Sequence, residues 1–179
     1  GEEHLDDLLE SAENAVELTR TARNMADVML QRSSDLESVS IRRTLDRVIE
    51  EVDSANADAV VETAGTIPAV TVQANDMLDS VFRNLLSNAI QHNDTDAPRV
   101  HVSAAVDDDV VVSVADNGPG VPDGQKEDIF GKGERGLDSD GTGLGLYLVR
   151  SLVDIYGGDV WVEDNDPEGA VFKVRLPIA

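Results

Sequence analysis

Between residues 116 and 143 the chain loses every periodicity that would make it a helix or a strand, and this one stretch holds eight of the 14 glycines. Loops of that length are uncommon inside compact domains and are usually functional or disordered. Its charges, Asp123, Glu127, Asp128, Glu134, Asp138 and Asp140 against Lys126, Lys132 and Arg135, leave little apolar surface to offset the entropy of ordering it. The flanks are regular. Val110 to Ala115 alternates as a strand, and Leu144 to Tyr156 has helical spacing and stops at Gly157-Gly158. The fold must therefore hand a strand to a long glycine-rich loop and the loop to a helix.

The remaining elements follow from pattern. Leu5, Ala12, Thr19 and Ala26 form one heptad row, Leu8, Ala15, Ala22 and Met29 a second, and Leu9, Val16 and Leu30 widen the stripe. Without Gly or Pro this predicts one long helix whose seam wants partner helices, ended by the polar Arg32 to Asp35. Leu36 to Ser40 is a short extended piece, and Ser40 caps a helix from Ile41 to Val52. Val60-Val61 and Val70, Val72 are short strands around a turn at Gly65 to Pro68. A third helix, capped by Asn75 or Asp76, runs to about His92 with Met77, Val81, Leu85 and Ala89 on one face. Val100 to Val106 and Val110 to Ala115 make a hairpin around Asp107 to Asp109, and Asp159 to Glu163 and Val171 to Leu176 make another around Asn165 to Gly169.

Composition narrows the function classes. There are 36 acidic against 14 basic side chains, a formal net charge of −22, so nucleic acid is a poor partner. The acids are 23 Asp and 13 Glu and the bases 11 Arg and three Lys. This bias resembles proteins of extreme halophiles, in which molar salt screens crowded carboxylates. The absence of cysteine, of an apolar run long enough to span a membrane and of a secretion-signal pattern predicts a cytoplasmic location for this stretch, with attachment of a longer protein to a membrane through parts outside it left open.

Four short segments carry chemistry. Asn84 and Asn88 of Asn84-Leu85-Leu86-Ser87-Asn88-Ala89-Ile90-Gln91-His92 share a helix face with Gln91 or His92, so they can point together at a phosphate chain. An amide oxygen suits magnesium, a hard cation that keeps several waters; taken alone the face is equally a solvated one. In Asp116-Asn117-Gly118-Pro119-Gly120, an aspartate at a strand end can accept from an exocyclic amine, and Gly118 and Gly120 let a flat base approach. The same five residues also read as a turn. Ile129-Phe130-Gly131-Lys132-Gly133 offers Lys132 to a phosphate. Gly141-Thr142-Gly143-Leu144-Gly145-Leu146 joins a glycine loop to a helix start, where free N–H groups and the helix dipole favour phosphate, although a glycine run by itself is also a linker.

In this order and on these elements, the four segments resemble the GHKL superfamily of Bergerat-fold ATPases, and within it the sensor histidine kinases. The resemblance covers about residues 36–177, and neither a Walker-type phosphate loop nor a protein-kinase signature set is present. It implies a two-layer α/β sandwich with a mixed sheet of about five strands and three helices on one face, preceded by the long helix. It further implies that ATP and Mg2+ bind, with Asn88 as the magnesium ligand, Asn84 and Asn88 serving catalysis and Asp116 reading the adenine amino group. The implied ATP contacts are Asn88, Gln91, His92, Asp116, Gly118, Gly120, Val121, Phe130, Lys132, Gly133, Gly141, Thr142, Gly143, Leu144, Gly145 and Leu146, beneath a lid at about 118–141 that orders on the γ-phosphate. Two positions depart from the family pattern. Gly133 stands where relatives carry a second aromatic, and Gly169-Ala170-Val171-Phe172 replaces the usual Gly-Thr-x-Phe.

Histidine kinases phosphorylate a histidine on a dimeric helical hairpin and relay the phosphate to the receiver domain of a response regulator. None of the three histidines, His4, His92 and His101, stands in a recognisable acceptor context. Residues 1–34 are therefore expected to be the second helix of the hairpin, residues 36–179 the ATP-binding domain, and the acceptor to lie outside this sequence in the same or a partner chain of a homodimer. Two other readings stay open: an ATP-hydrolysing clamp on the same fold, which needs a carboxylate base where Asn84 stands, and a degenerate scaffold that dimerises and binds nucleotide without turnover.

Overall fold

A computed structural model describes residues 2–30, 36–131 and 144–179. The expected helix terminator Arg32 to Asp35 lies outside them. The elements run α1 (Glu2–Leu30), β1 (Glu37–Ser40), α2 (Ile41–Ala55), β2 (Val60–Thr63), β3 (Thr71–Ala74), α3 (Leu78–Gln91), β4 (Arg99–Val106), β5 (Asp109–Asp116), two 3-10 turns at Asp123–Gln125 and Asp128–Phe130, α4 (Gly145–Ile155), β6 (Asp159–Asp164) and β7 (Ala170–Pro177).

Five strands form a mixed sheet in the order β2-β4-β5-β7-β6. β2 runs parallel to β4, and the other neighbours are antiparallel. The alternation of valines dictates which face is covered. Val100 and Val102 of β4, Val110, Val112 and Val114 of β5 and Phe172, Val174 and Leu176 of β7 are all buried, while His101, Ser103, Ser113, Lys173 and Arg175 between them keep partial contact with solvent. On the buried face lie Leu45 and Val48 of α2, Phe82, Leu85 and Leu86 of α3, and Leu148, Val149 and Leu152 of α4. The result is the expected two-layer sandwich.

Local signals explain most boundaries. Ser40 stands at the N-cap of α2 in extended conformation and accepts from Arg43 N at 3.3 Å. Ser40→Ala is expected to cost about 1 kcal/mol of stability, the scale of a lost N-cap, read from the urea midpoint at unchanged slope. α4 ends where Gly157, at φ +76°, donates to the Asp154 carbonyl and Gly158 to that of Val153, closing the helix through a left-handed glycine.

Two expectations change. β2 and β3 do flank the Gly65–Pro68 turn but belong to different sheets, since β3 pairs antiparallel with β1, Glu37 opposite Ala74 and Ser40 opposite Thr71. Neither Asn75 nor Asp76 caps α3. The helix starts after Met77 without a side-chain cap, because Asn75 Oδ1 is taken by Met77 N at 3.0 Å and by the Tyr156 hydroxyl at 2.5 Å. In α1, among the described side chains, Thr21 is buried and Met25 packs against the core. Leu5, Leu8, Leu9 and Val16 of the heptad face remain at least 60% exposed.

Candidate nucleotide site

The site is built where β5 ends. Asp116 is its last residue, 8% exposed, and its carboxylate is held from behind: Oδ1 accepts from Gly118 N at 2.9 Å and Ala170 N at 3.2 Å. Oδ2 has no partner among the described residues and remains free to accept. Burial pushes the carboxyl above its ordinary value, and the two N–H donors and the neighbouring His92 only partly offset this. The same enclosure holds the His92 ring below the ordinary histidine value, against the pull of the Asp116 charge, although the ring keeps contact with solvent.

The backbone packs closely around this aspartate. A Cβ on Gly118 would stand 3.2 Å from Asp116 Oδ1 and 3.4 Å from Asn93 Cα, so side-chain bulk there would crowd the carboxylate. Gly120 has φ +77°, and a Cβ on it would meet the Gly169 carbonyl at 3.0 Å. Next to these glycines, Asn117 ties the loop from α3 to β4 in place. Its Oδ1 accepts from Asn93 Nδ2 at 2.7 Å and Arg99 N at 2.9 Å, and its Nδ2 donates to the Ala97 carbonyl at 3.2 Å.

α3 supplies the amides. Val81, Phe82, Leu85, Leu86 and Ala89 anchor it in the core, which turns Asn84 and Asn88 out to partial exposure. Asn84 donates through Nδ2 to the Ser80 carbonyl at 2.6 Å, which aims its Oδ1 at the start of α4, where a Cβ on Gly145 would lie 2.9 Å from it. Glycine at 145 thus lets the helix that follows the long loop begin against α3. Leu144 precedes α4 at its N-cap, and Leu146 packs on the core.

The predicted residues therefore divide. Asp116, Gly118, Gly120 and His92 converge at one end, and Asn84 and Gly145 meet at the other. Gln91 instead shares with Asn84 the wall of a cleft of about 560 Å3 between α1 and α3, closed on the far side by Leu9, Val16 and Arg20. Val121 packs against the core. Phe130 is a core residue, 2% exposed and edge-on to Phe172 with ring centroids 6.1 Å apart, where it anchors the root of the loop. Lys132, Gly133, Gly141, Thr142 and Gly143 lie outside the described residues. The sequence reading missed Asn93, Asn117, Asn165 and Ala170. Only Asn117 and Ala170 carried a signal, as members of quoted segments.

Residues 73–179 match the HATPase_c family, described as histidine kinase-, DNA gyrase B-, and HSP90-like ATPase. The chain belongs to this family. Within it the chain is similar to cyanobacterial phytochrome A of Nostoc sp., 29% identical over 85% of this chain and 21% of that protein. Among solved structures it resembles a mycobacterial sensor histidine kinase, MprB, at 27% identity and TM-score 0.73, covering 79% of this chain and 98% of that one. It also resembles full-length ShkA in complex with AMPPNP, at 27% identity and TM-score 0.79, covering 99% of this chain and 39% of that one. The chain is homologous to the catalytic domain of sensor histidine kinases, and it spans about a fifth of the length of the first curated relatives it matches. Asp116 ends β5, and Asn84 and Asn88 lie on α3. No helix among the described residues is long and apolar enough to cross a membrane.

Proposed function

We propose that this chain is the ATP-binding catalytic domain of a sensor histidine kinase, delivering the γ-phosphate of Mg-ATP to a histidine on a helical hairpin for relay to the receiver domain of a response regulator. The observation that carries the reading is Asp116: a buried carboxylate with one oxygen fixed by two backbone donors and the other free, beside Gly118, where a side chain would crowd the carboxylate. Such an oxygen accepts from adenine's amino group and rejects guanine's carbonyl. Among the described residues no group of three His, Asp or Glu side chains could hold a metal by itself. Magnesium would thus arrive on the phosphates and take one amide oxygen, that of Asn88, in keeping with its preference for waters and few protein ligands.

The remaining roles extend the same reading. Phosphoryl transfer is mostly positioning and electrostatics, so the chain's part is to hold the nucleotide in line while the acceptor comes from elsewhere. Residues 118–141 act as the lid, with Lys132 and the Gly141 to Gly145 loop on the phosphates. α1 is the second helix of the hairpin, and its exposed Leu5, Leu8, Leu9 and Val16 supply the apolar face of a homodimer. Asn84 argues against the hydrolytic clamp, since a side-chain amide cannot take a proton from water.

Titration with a fluorescent ATP analogue, with and without magnesium and in molar salt, tests the reading. Saturable binding that tightens with magnesium, with phosphate release at the buffer background, is the expected result. Steady phosphate release would favour the clamp, and no binding in either condition would remove the nucleotide site.

A further inference from the structure

We infer that Asn165, in the turn between β6 and β7, is the positioning residue that sets the angle at which Asp116 presents its free oxygen, and so determines the selectivity for adenine. The inference rests on the proposed role of Asp116 and adds to it a residue 49 positions away in the chain.

The β5–β7 ladder stops at the pair Ala115 with Val171, one residue short of Asp116. At that point the Asp116 carbonyl accepts from Asn165 Nδ2 at 2.7 Å instead of from the neighbouring strand. The Asn165 amide has its direction fixed, because its Oδ1 accepts from Asp166 N at 3.0 Å, which leaves the NH2 end facing Asp116. The turn that carries it is closed by Asn165 N donating to the Gly169 carbonyl at 2.9 Å. Gly169, at φ +107°, permits the close approach: a Cβ there would fall 2.0 Å from the Asp116 carbonyl oxygen. On its other side the turn is tied to the root of the loop, where Lys126 pairs with Asp164 at 2.8 Å and also with Asp123. Main chain and carboxylate of Asp116 are thus gripped by one turn, Asn165 on the carbonyl and Ala170 N on Oδ1. Removing the Asn165 donor frees the peptide plane from which the carboxylate is hung, and Oδ2 loses its fixed direction.

The test compares ATP with inosine triphosphate, which carries a carbonyl in place of the amino group, on wild type, Asn165→Asp, Asn165→Ala and Asp116→Asn. Asn165→Asp keeps the shape and the acceptor to Asp166 N but replaces the donor by a charged oxygen, and Asn165→Ala removes the donor without adding charge. Both Asn165 variants are expected to lower the ratio of ATP to inosine triphosphate affinity about fivefold, the scale of one lost hydrogen bond, while the affinity for inosine triphosphate stays near wild type. A residue that merely supported the fold would lower the folded fraction and leave this ratio unchanged, so partial unfolding does not obscure the result. A wild-type ratio in both Asn165 variants, with the preference lost in Asp116→Asn, would overturn the inference and leave the reading of Asp116 intact. A wild-type ratio in Asp116→Asn would overturn both.

Discussion

Asp116→Asn is expected to weaken ATP binding by about 1.5–3 kcal/mol, the value of a hydrogen bond to a charged group, or roughly ten- to a hundredfold in Kd, without a loss of folding stability at neutral pH. The asparagine Oδ1 can keep the bonds from Gly118 N and Ala170 N. Its NH2 group then replaces the free oxygen and turns a donor toward the donor on the base. Stability moves the other way. Burial raises the Asp116 pKa above its ordinary 3.8, so the folded chain holds this proton more tightly than the unfolded one. The stabilisation from that proton is present below the ordinary value and is lost as pH rises through the folded value, so at neutral pH the wild type bears the cost of a buried charge that the asparagine avoids. Calorimetry at fixed salt, with thermal melts on both sides of that window, reads the two effects separately. Equal ATP affinities in wild type and variant would take Asp116 out of the site, whatever the melts showed.

What could be read from the sequence was what depends on neighbours in the chain. The valine alternation of β4, β5 and β7 announced a one-sided sheet, Ser40 announced α2, and Gly157-Gly158 announced the end of α4, because the physical cause of each lies within a few residues. Asn75 shows the limit. It looked like a helix cap, and it was claimed instead by a hydroxyl 81 residues away, Tyr156, whose buried oxygen needed an acceptor. Asn165 shows it again: a turn residue by composition, whose amide proves to hold the Asp116 carbonyl. In α1 the heptad correctly gave a long helix and an apolar stripe, while among the described side chains Thr21 and Met25, off the Leu5, Leu8 and Leu9 positions, also meet the domain, a contact that no repeat within the helix announces. The elements that carry the candidate site were legible, since Asp116 ends β5 and Asn84 and Asn88 lie on α3, as their segments predicted. The close backbone contacts that fix Asp116 were not, because they join segments remote in the chain.

The largest effect is expected in phosphoryl transfer. The chain should bind Mg-ATP and fail to label itself at histidine, and it should phosphorylate a separately supplied hairpin that carries an acceptor. Each of its three histidines is placed against self-transfer. His101 projects from the face of β4 opposite to buried Val100 and Val102, 3.6 Å from Glu62, so the sheet separates it from α3. His92 caps the C-terminal end of α3 beside Asp116, at the end assigned to the base and one helical turn beyond Asn88. His4 lies on the exposed N-terminal part of α1, ahead of Leu9, the first residue of that helix to line the cleft beside Asn84. Transfer to a free hairpin is expected to be slow. A linked acceptor has an effective concentration of about 1 mM, so at micromolar hairpin the rate should fall by roughly a thousandfold, even with every contact to the nucleotide retained. Incubation with γ-labelled ATP in high salt, with and without the hairpin, decides the matter. Acid-labile, base-stable label on the hairpin alone is the expected pattern. The same label on this chain, abolished by His4→Gln, would show that α1 carries the acceptor.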